Sequence, residues 1–409
     1  MPHQTVIVGA GHGAGQLVAS LKQKGYEGNL TLIGDEAWLP YQRPPLSKKF
    51  LSGELPAERL LFKPPAFYDD VTVRLDTRVD SIDRQRHLVT TSTGDTFSYD
   101  ALVLATGSSV RRLDCGGAEL SGIHYLRDIA DVDRIRGDLP DDSRVVIVGA
   151  GYIGLEVAAV ARTLGHEVTV LEMADRVMSR VVSRDVSAFF DRVHRERGVD
   201  LRLTTGLVRF IGDNGRVTGI ETNGGDIVDA DVVIVGIGIT PNDQLAGDAG
   251  LDVDDGVVVD DHCRTSDPMI FAIGDCTRHP NRIYNETLRL ESVHNALEQA
   301  KTAADNIAGG DTVYNQVPWF WSDQYEFKLQ IAGLSTGYDD VVLRGSPDDG
   351  SFSCVYLRGG RFIAIDCINS PKDFMQSKTV LAELPVIAKD VLANTELTFR
   401  DIQASLVDA

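Results

Sequence analysis

Residues 6–11 and residues 146–151 spell the same six letters, Val-Ile-Val-Gly-Ala-Gly. In the first copy Gly9, Gly11 and Ala14 fit the spacing GxGxxG/A, and in the second Gly149, Gly151 and Gly154 fit it fully. The first glycine of such a motif allows a tight turn. The second lets backbone approach a pyrophosphate, which then rests on the N–H groups of a helix N-terminus. Acids follow each copy: Asp35 and Glu36 after the first, Glu172 after the second. A carboxylate there can bind both hydroxyls of a ribose, and one at Glu172 would repel a 2′-phosphate, which predicts NADH over NADPH. Arg176 and Arg180 lie close behind and would soften that preference.

These residues need strands and helices to hold them. Each six-letter string is a β-branched apolar run suited to a buried parallel strand. A helix-period segment follows each, Gln16–Leu21 in the first copy and Leu155–Ala161 in the second. Leu30–Ile33 and Glu167–Leu171 close two βαβ units, so the chain carries two dinucleotide-binding modules. Further apolar strands end in glycine turns at Ala105-Thr106-Gly107, at Gly236 and at Gly274-Asp275. The order predicts a first module over 1–112 and 243–318, interrupted by a second over 113–242. After Pro318 short alternating segments such as Phe352–Leu357 predict an antiparallel sheet with following helices, a third domain over 319–409. The fold class is therefore α/β, two Rossmann-like domains plus a C-terminal α+β domain.

Other residues extend the chemistry. Asp275 follows a buried-type strand, where its carboxylate can accept a hydrogen bond from a polyol such as a ribityl chain. Ser292 is a good N-cap, the pattern from Val293 to Ala308 is helical, and Gly309-Gly310 ends it. The positive end of that helix suits a reduced flavin pyrimidine.

With 409 residues, 43% hydrophobic and 24% charged, the chain has a soluble globular profile and room for two or three domains. Forty basic against sixty acidic side chains leave a net charge of −20, which excludes nucleic acid as an expected partner. No apolar run suits a membrane span, and the start has no basic region or cleavage site. Five cysteines, at 115, 263, 276, 354 and 367, form no CxxC pair, which suits a reducing cytoplasm. No residue is assigned to a metal.

Six segments run through the chain in order: Arg43-Pro44-Pro45-Leu46-Ser47-Lys48, Ala105-Thr106-Gly107, Gly149-Ala150-Gly151-Tyr152-Ile153-Gly154-Leu155-Glu156, Ile273-Gly274-Asp275-Cys276, Glu291-Ser292-Val293 and Pro318-Trp319-Phe320-Trp321-Ser322-Asp323-Gln324. Together they are similar to the NADH-dependent ferredoxin reductases, the FAD enzymes of bacterial monooxygenase and dioxygenase systems. The resemblance covers essentially the whole chain and implies a glutathione-reductase-like fold. It implies FAD contacts at Gly13, Asp35, Lys48, Val79, Arg127, Asp275 and Val293. It also places Lys48 near the reactive flavin nitrogen, with Glu156 as its ion partner and Glu291 lining the same pocket.

Disulfide reductases and NADH peroxidases of this fold need a thiol on the helix after the first ribose acid. Here that region reads Trp38-Leu39-Pro40-Tyr41-Gln42-Arg43 and no cysteine precedes Cys115. Electrons must then leave the flavin directly, from a two-electron hydride donor to a one-electron carrier. The resemblance implies a [2Fe–2S] ferredoxin, docking on the C-terminal and FAD domains. One of the paired tryptophans Trp319 and Trp321 is expected to cover the flavin edge beneath that surface, with Trp321 taken as the candidate. Lys328, Lys372, Lys378 and Arg400 are candidate cations for an acidic partner. Competing readings are a rubredoxin reductase, an NADH oxidase, and a non-enzymatic NADH-sensing flavoprotein.

Overall fold

Why the two repeated strings become central strands is visible in their neighbours. In the computed structural model, which describes residues 2–407, the chain forms two compact units. The first comprises 1–43, 57–109 and 239–318; the second comprises 44–56, 110–238 and 319–409. Four helices matter below: α1 His12–Gln23, α2 Tyr152–Thr163, α3 Arg184–Glu196 and α4 Val293–Ile307.

In the first unit the strand Gln4–Val8 is the middle of five parallel strands. Asn29–Ile33 and then Thr72–Arg74 lie to one side, Ala101–Leu104 and then Ile270–Ala272 to the other. Side chains alternate across such a sheet. Ile7, Leu32 and Val103 therefore enter a core with Leu17 and Val18 of α1 and Ala300 and Ala303 of α4. Val6, Val8, Leu102 and Leu104 face the opposite core, which includes Val79 and Ile82. Both faces are covered, so the strands read as continuous apolar runs.

The second unit repeats the plan. Arg144–Val148 is central, with Glu167–Leu171 and Asp200–Arg202 on one side, Val232–Val235 and Ile123–Tyr125 on the other, all parallel. It adds a five-stranded antiparallel sheet in the order 319–324, 327–333, 361–368, 351–358, 340–346. The antiparallel sheet expected after Pro318 is this one, and within it Phe352–Leu357 is buried throughout. The helix Pro371–Leu381 packs on the sheet, and Phe352 meets Phe189 of α3 with ring centroids 5.3 Å apart. The turn at Asp348-Asp349-Gly350 is a single 3₁₀ turn closed by Gly350 in the left-handed region (φ 66°). The Pro-rich segment 44–56 starts as a 3₁₀ turn over Pro44–Ser47, where proline ends no needed N–H bond. Among the described residues no helix is long and apolar enough to cross a membrane.

Candidate active site

Each unit builds the same cradle from its first glycine. Gly9 has φ +106°, and a Cβ there would lie 2.1 Å from the carbonyl oxygen of Ala105. Gly149 has φ +105°, and its Cβ would lie 2.4 Å from the oxygen of Gly236. No L side chain tolerates both the conformation and the contact. At Gly11 and Gly151 a Cβ would meet no described atom within 4 Å, so open space faces both loops. Those two glycines are also the N-caps of α1 and α2. A glycine offers no side-chain oxygen, and neither Gly11 nor Gly151 gives its helix a side-chain cap. By contrast Ser183 and Ser292 cap α3 and α4 with their own hydroxyls. Two uncapped helix ends behind open glycine loops fit two pyrophosphates.

The ribose acids divide differently in the two units. Glu172 is held by backbone, accepting from Ala150 N at 2.8 Å and Ala174 N at 2.9 Å. Glu36 is engaged by Tyr41 Oη (2.5 Å) and by the guanidinium of Arg43. Asp35 is exposed at the end of its strand, the acid of the pair left open to a ribose. Arg176 is committed to the carbonyls of Val182 (2.9 Å) and Ser179 (2.5 Å), which leaves exposed Arg180 as the cation behind Glu172.

Around the first cradle the loops are knitted together. Thr106 Oγ1 donates to the Asn242 carbonyl at 2.7 Å, and Asn242 Nδ2 returns to Thr106 O at 2.9 Å. Gly274 N donates to Gln299 Oε1 at 2.7 Å, and half-buried Asp275 accepts from Ser108 Oγ at 3.1 Å. Gly13 is buried at the start of α1, where a Cβ would come within 3.2 Å of Ile273 Cδ1; Val79 is buried and Val293 half-buried. Glu291 is exposed and paired with Arg289, which also holds Asp255. Gly13, Asp35, Val79, Asp275 and Val293 thus belong to the first unit, whereas Lys48 and Arg127 belong to the second. Asn242, Gln299 and Arg289 were not singled out by sequence.

The second unit carries a buried ion pair. Glu156, on the second turn of α2, is 2% exposed, and such a charge persists only with partners. Lys48 Nζ lies 2.7 Å from Glu156 Oε2. Ser47 Oγ donates to the same oxygen at 2.5 Å, and Ser322 Oγ donates to Oε1 at 2.6 Å. Lys48 Nζ also donates to Pro44 O at 3.2 Å. Both serines sit inside motifs quoted above, yet only their neighbours Lys48 and Trp321 stood out. Tyr152 packs on Phe320 (4.7 Å between centroids), and Ile153 is 44% exposed beside the open loop.

Trp319 and Trp321 are half-buried, their rings 5.5 Å apart. Lys378 sits 5.4 Å above the Trp319 ring and 4.7 Å above Phe374, and burial lowers its ammonium pKa. Lys328, Lys372 and Arg400 are exposed. All five cysteines are unpaired thiols. Burial pushes Cys263, Cys276, Cys354 and Cys367 up, Cys354 to about 12, the opposite of an activated thiolate.

Residues 3–300 match the pyridine nucleotide-disulphide oxidoreductase family. The chain belongs to that family. Residues 319–403 of this oxidoreductase match the reductase C-terminal family as well. It is 46% identical to a ferredoxin–NAD(P)+ reductase of Sphingomonas sp over 93% of this chain and 92% of that one. It is 42% identical to the putidaredoxin reductase CamA of Pseudomonas putida, over 98% and 96%. Among solved structures, the covalent putidaredoxin reductase–putidaredoxin complex aligns with a TM-score of 0.95 at 41% identity, covering 98% of each chain. The oxidoreductase therefore has two dinucleotide-binding Rossmann-like folds and a C-terminal domain.

Proposed function

We propose that this oxidoreductase is an FAD-dependent ferredoxin reductase, which takes a hydride from NADH and passes single electrons to a [2Fe–2S] ferredoxin serving a haem monooxygenase or Rieske dioxygenase. The observation that carries the reading is the pair of uncapped glycine cradles, one per unit, in a chain whose buried thiols are unactivated. FAD would be held by Gly9, Gly11, Gly13, Ala14, Asp35, Val79, Ala105-Thr106-Gly107, Gly274-Asp275 and Ser292-Val293, with Arg43 fixing Glu36 nearby. The resemblance adds Lys48 and Arg127 as candidate FAD contacts. Bound there, FAD supplies the conversion of a two-electron donor into two one-electron deliveries.

NADH would occupy Gly149, Gly151, Tyr152, Ile153, Gly154, Glu172 and Gly236. Glu172, oriented by Ala150 N and Ala174 N, presents a carboxylate to ribose hydroxyls and repels a 2′-phosphate. Lys48 and Glu156 orient the nicotinamide, and Glu291 is a further candidate catalytic carboxylate. The domain reading is 1–112 with 243–318 for FAD, 113–242 for NAD and 319–409 for the C-terminal domain. It is supported by the break of the compact units at 238/239 and the C-terminal match beginning at 319.

Electrons leave towards a protein partner. Trp321 covers the exit, and Lys378, stacked on Trp319, gives an acidic ferredoxin a local cation on a chain of net charge −20. A cytoplasmic location belongs to this reading, supported by five unpaired cysteines. The test is steady-state NADH oxidation with FAD-replete protein against a panel of [2Fe–2S] ferredoxins, a rubredoxin and dioxygen. Ferredoxin should be the fastest acceptor; a faster rubredoxin or dioxygen overturns the assignment. Replacing Trp321 by Ala should impair ferredoxin reduction more than ferricyanide reduction, and equal effects remove it from the exit.

A further inference from the structure

The Glu156 carboxylate is the end of a longer buried chain in the second unit. His194 on α3 is fully buried, as are Gln324 and Ser322 on the strand Trp319–Gln324. His194 Nε2 lies 2.9 Å from Gln324 Oε1. Gln324 Nε2 donates to Ser322 Oγ at 3.3 Å, and Ser322 Oγ donates to Glu156 Oε1 at 2.6 Å. Ser322 and Gln324 are two apart, so they share one face of the strand, while Trp319 and Trp321 occupy the other.

The direction of this chain is set by chemistry. A carboxylate only accepts, so Ser322 must spend its proton on Glu156 and accept from Gln324. Gln324 then turns its carbonyl to His194, which must donate from Nε2. Burial lowers the His194 pKa to about 4, so the ring is neutral with a single N–H, and Gln324 claims it. His194 Nδ1, the acceptor nitrogen in this tautomer, has no hydrogen-bond partner among the described residues.

We propose that His194, Gln324 and Ser322 form a directional hydrogen-bond relay that fixes the Glu156 carboxylate and, through it, the Lys48 ammonium. The three are positioning residues for hydride delivery. The proposal rests on the reading of Lys48 and Glu156 as the pair that orients the nicotinamide. With Ser47 and Lys48 on Oε2 and Ser322 alone on Oε1, the relay is what stops the carboxylate from turning about its last bond.

The experiment uses the holoenzyme with Ser322→Ala, Ser322→Thr and Gln324→Met. An amine-acetylating reagent is applied, and labelling of Lys48 is read by mass spectrometry against its exposed neighbour Lys49. The Lys48/Lys49 ratio should rise about fivefold in Ser322→Ala and about twofold in Gln324→Met, and return to the wild-type value in Ser322→Thr. Flavin reduction by NADH should slow about tenfold and threefold in the same order, with NADH affinity little changed. A wild-type labelling ratio in folded Ser322→Ala and Gln324→Met overturns the relay. Should Ser322→Ala not fold, Gln324→Met, close in size to glutamine, decides alone. An unchanged flavin-reduction rate in Lys48→Ala would instead overturn the underlying role of the pair, whatever the labelling shows.

Discussion

The two dinucleotide cradles share a strand order and a first glycine, yet they differ where residence and exchange would differ. At the third motif position the first unit has Ala14, fully buried, whereas the second has Gly154, where a Cβ would lie 2.1 Å from Gly149 O. The second helix thus runs tight against its own loop, while the first leaves a methyl's width. The ribose acids differ too: Glu172 is pinned by two backbone amides, Glu36 is spent on Tyr41 and Arg43, and Asp35 stays open. The first cradle is laced by Asn242 and Gln299, residues from beyond the interruption, so its surroundings are tied into one unit. In the second, the nearby polar investment is the Lys48–Glu156 pair and its serines. On the proposed function, the first site would keep its ligand and the second would orient a ligand that comes and goes.

The largest expected effect breaks the symmetry at the first glycine. Replacing Gly9 by Ala should yield colourless protein, because the strained turn and the Ala105 carbonyl leave no room for a side chain. The Gly149→Ala change should leave the protein yellow and raise the KM for NADH about 100-fold. Visible absorbance of purified variants and steady-state kinetics separate the two. Next comes the ion pair: Lys48→Ala should slow flavin reduction about 100-fold in stopped flow. Glu156→Ala should also lower the melting temperature, since breaking a buried pair costs about 3–5 kcal/mol.

A smaller effect concerns cofactor choice. Wild-type kcat/KM should favour NADH over NADPH by more than about tenfold, Glu172→Ala should bring the ratio towards unity, and Arg180→Ala should raise it about twofold. The smallest effect is a matched one in the two units. His279 in the first and His194 in the second are buried, and burial lowers both pKa values to about 4 from the ordinary 6.5. The unfolded chain therefore takes up those protons first as pH falls. Stability is fully present above about 6.5 and is lost progressively towards about 4. Thermal melts from pH 7 to 5 should show wild type losing more than His279→Gln.

Much of this was legible beforehand because it depends on local chemistry. The six-letter strings, the glycine spacing, the Ser292 cap and the Gly309 stop each follow from one segment, and α4 spans Val293–Ile307 as its caps imply. The Lys48–Glu156 pairing came from resemblance and is found at 2.7 Å. What composition and spacing hid is tertiary. Whether Asp35 or Glu36 stays open depends on where Tyr41 and Arg43 fold back. The segment 44–56 belongs with the second compact unit although it interrupts the first in sequence. The antiparallel sheet expected around Phe352–Leu357 is present, whereas the burial of that whole stretch depends on what covers both of its faces. Ser47 and Ser322 were invisible because a buried serine gives no pattern until its acceptor is known.

The central claim is that electrons pass from NADH through the resident flavin to an iron–sulfur protein without a thiol. It is tested most directly by anaerobic stopped flow on holoenzyme whose accessible cysteines have been alkylated. One equivalent of NADH should bleach the flavin, and two equivalents of oxidised [2Fe–2S] ferredoxin should then restore it, at rates equal to those of unmodified enzyme. A flavin that stays reduced in the presence of every [2Fe–2S] ferredoxin tried, or turnover abolished by alkylation, would contradict the account.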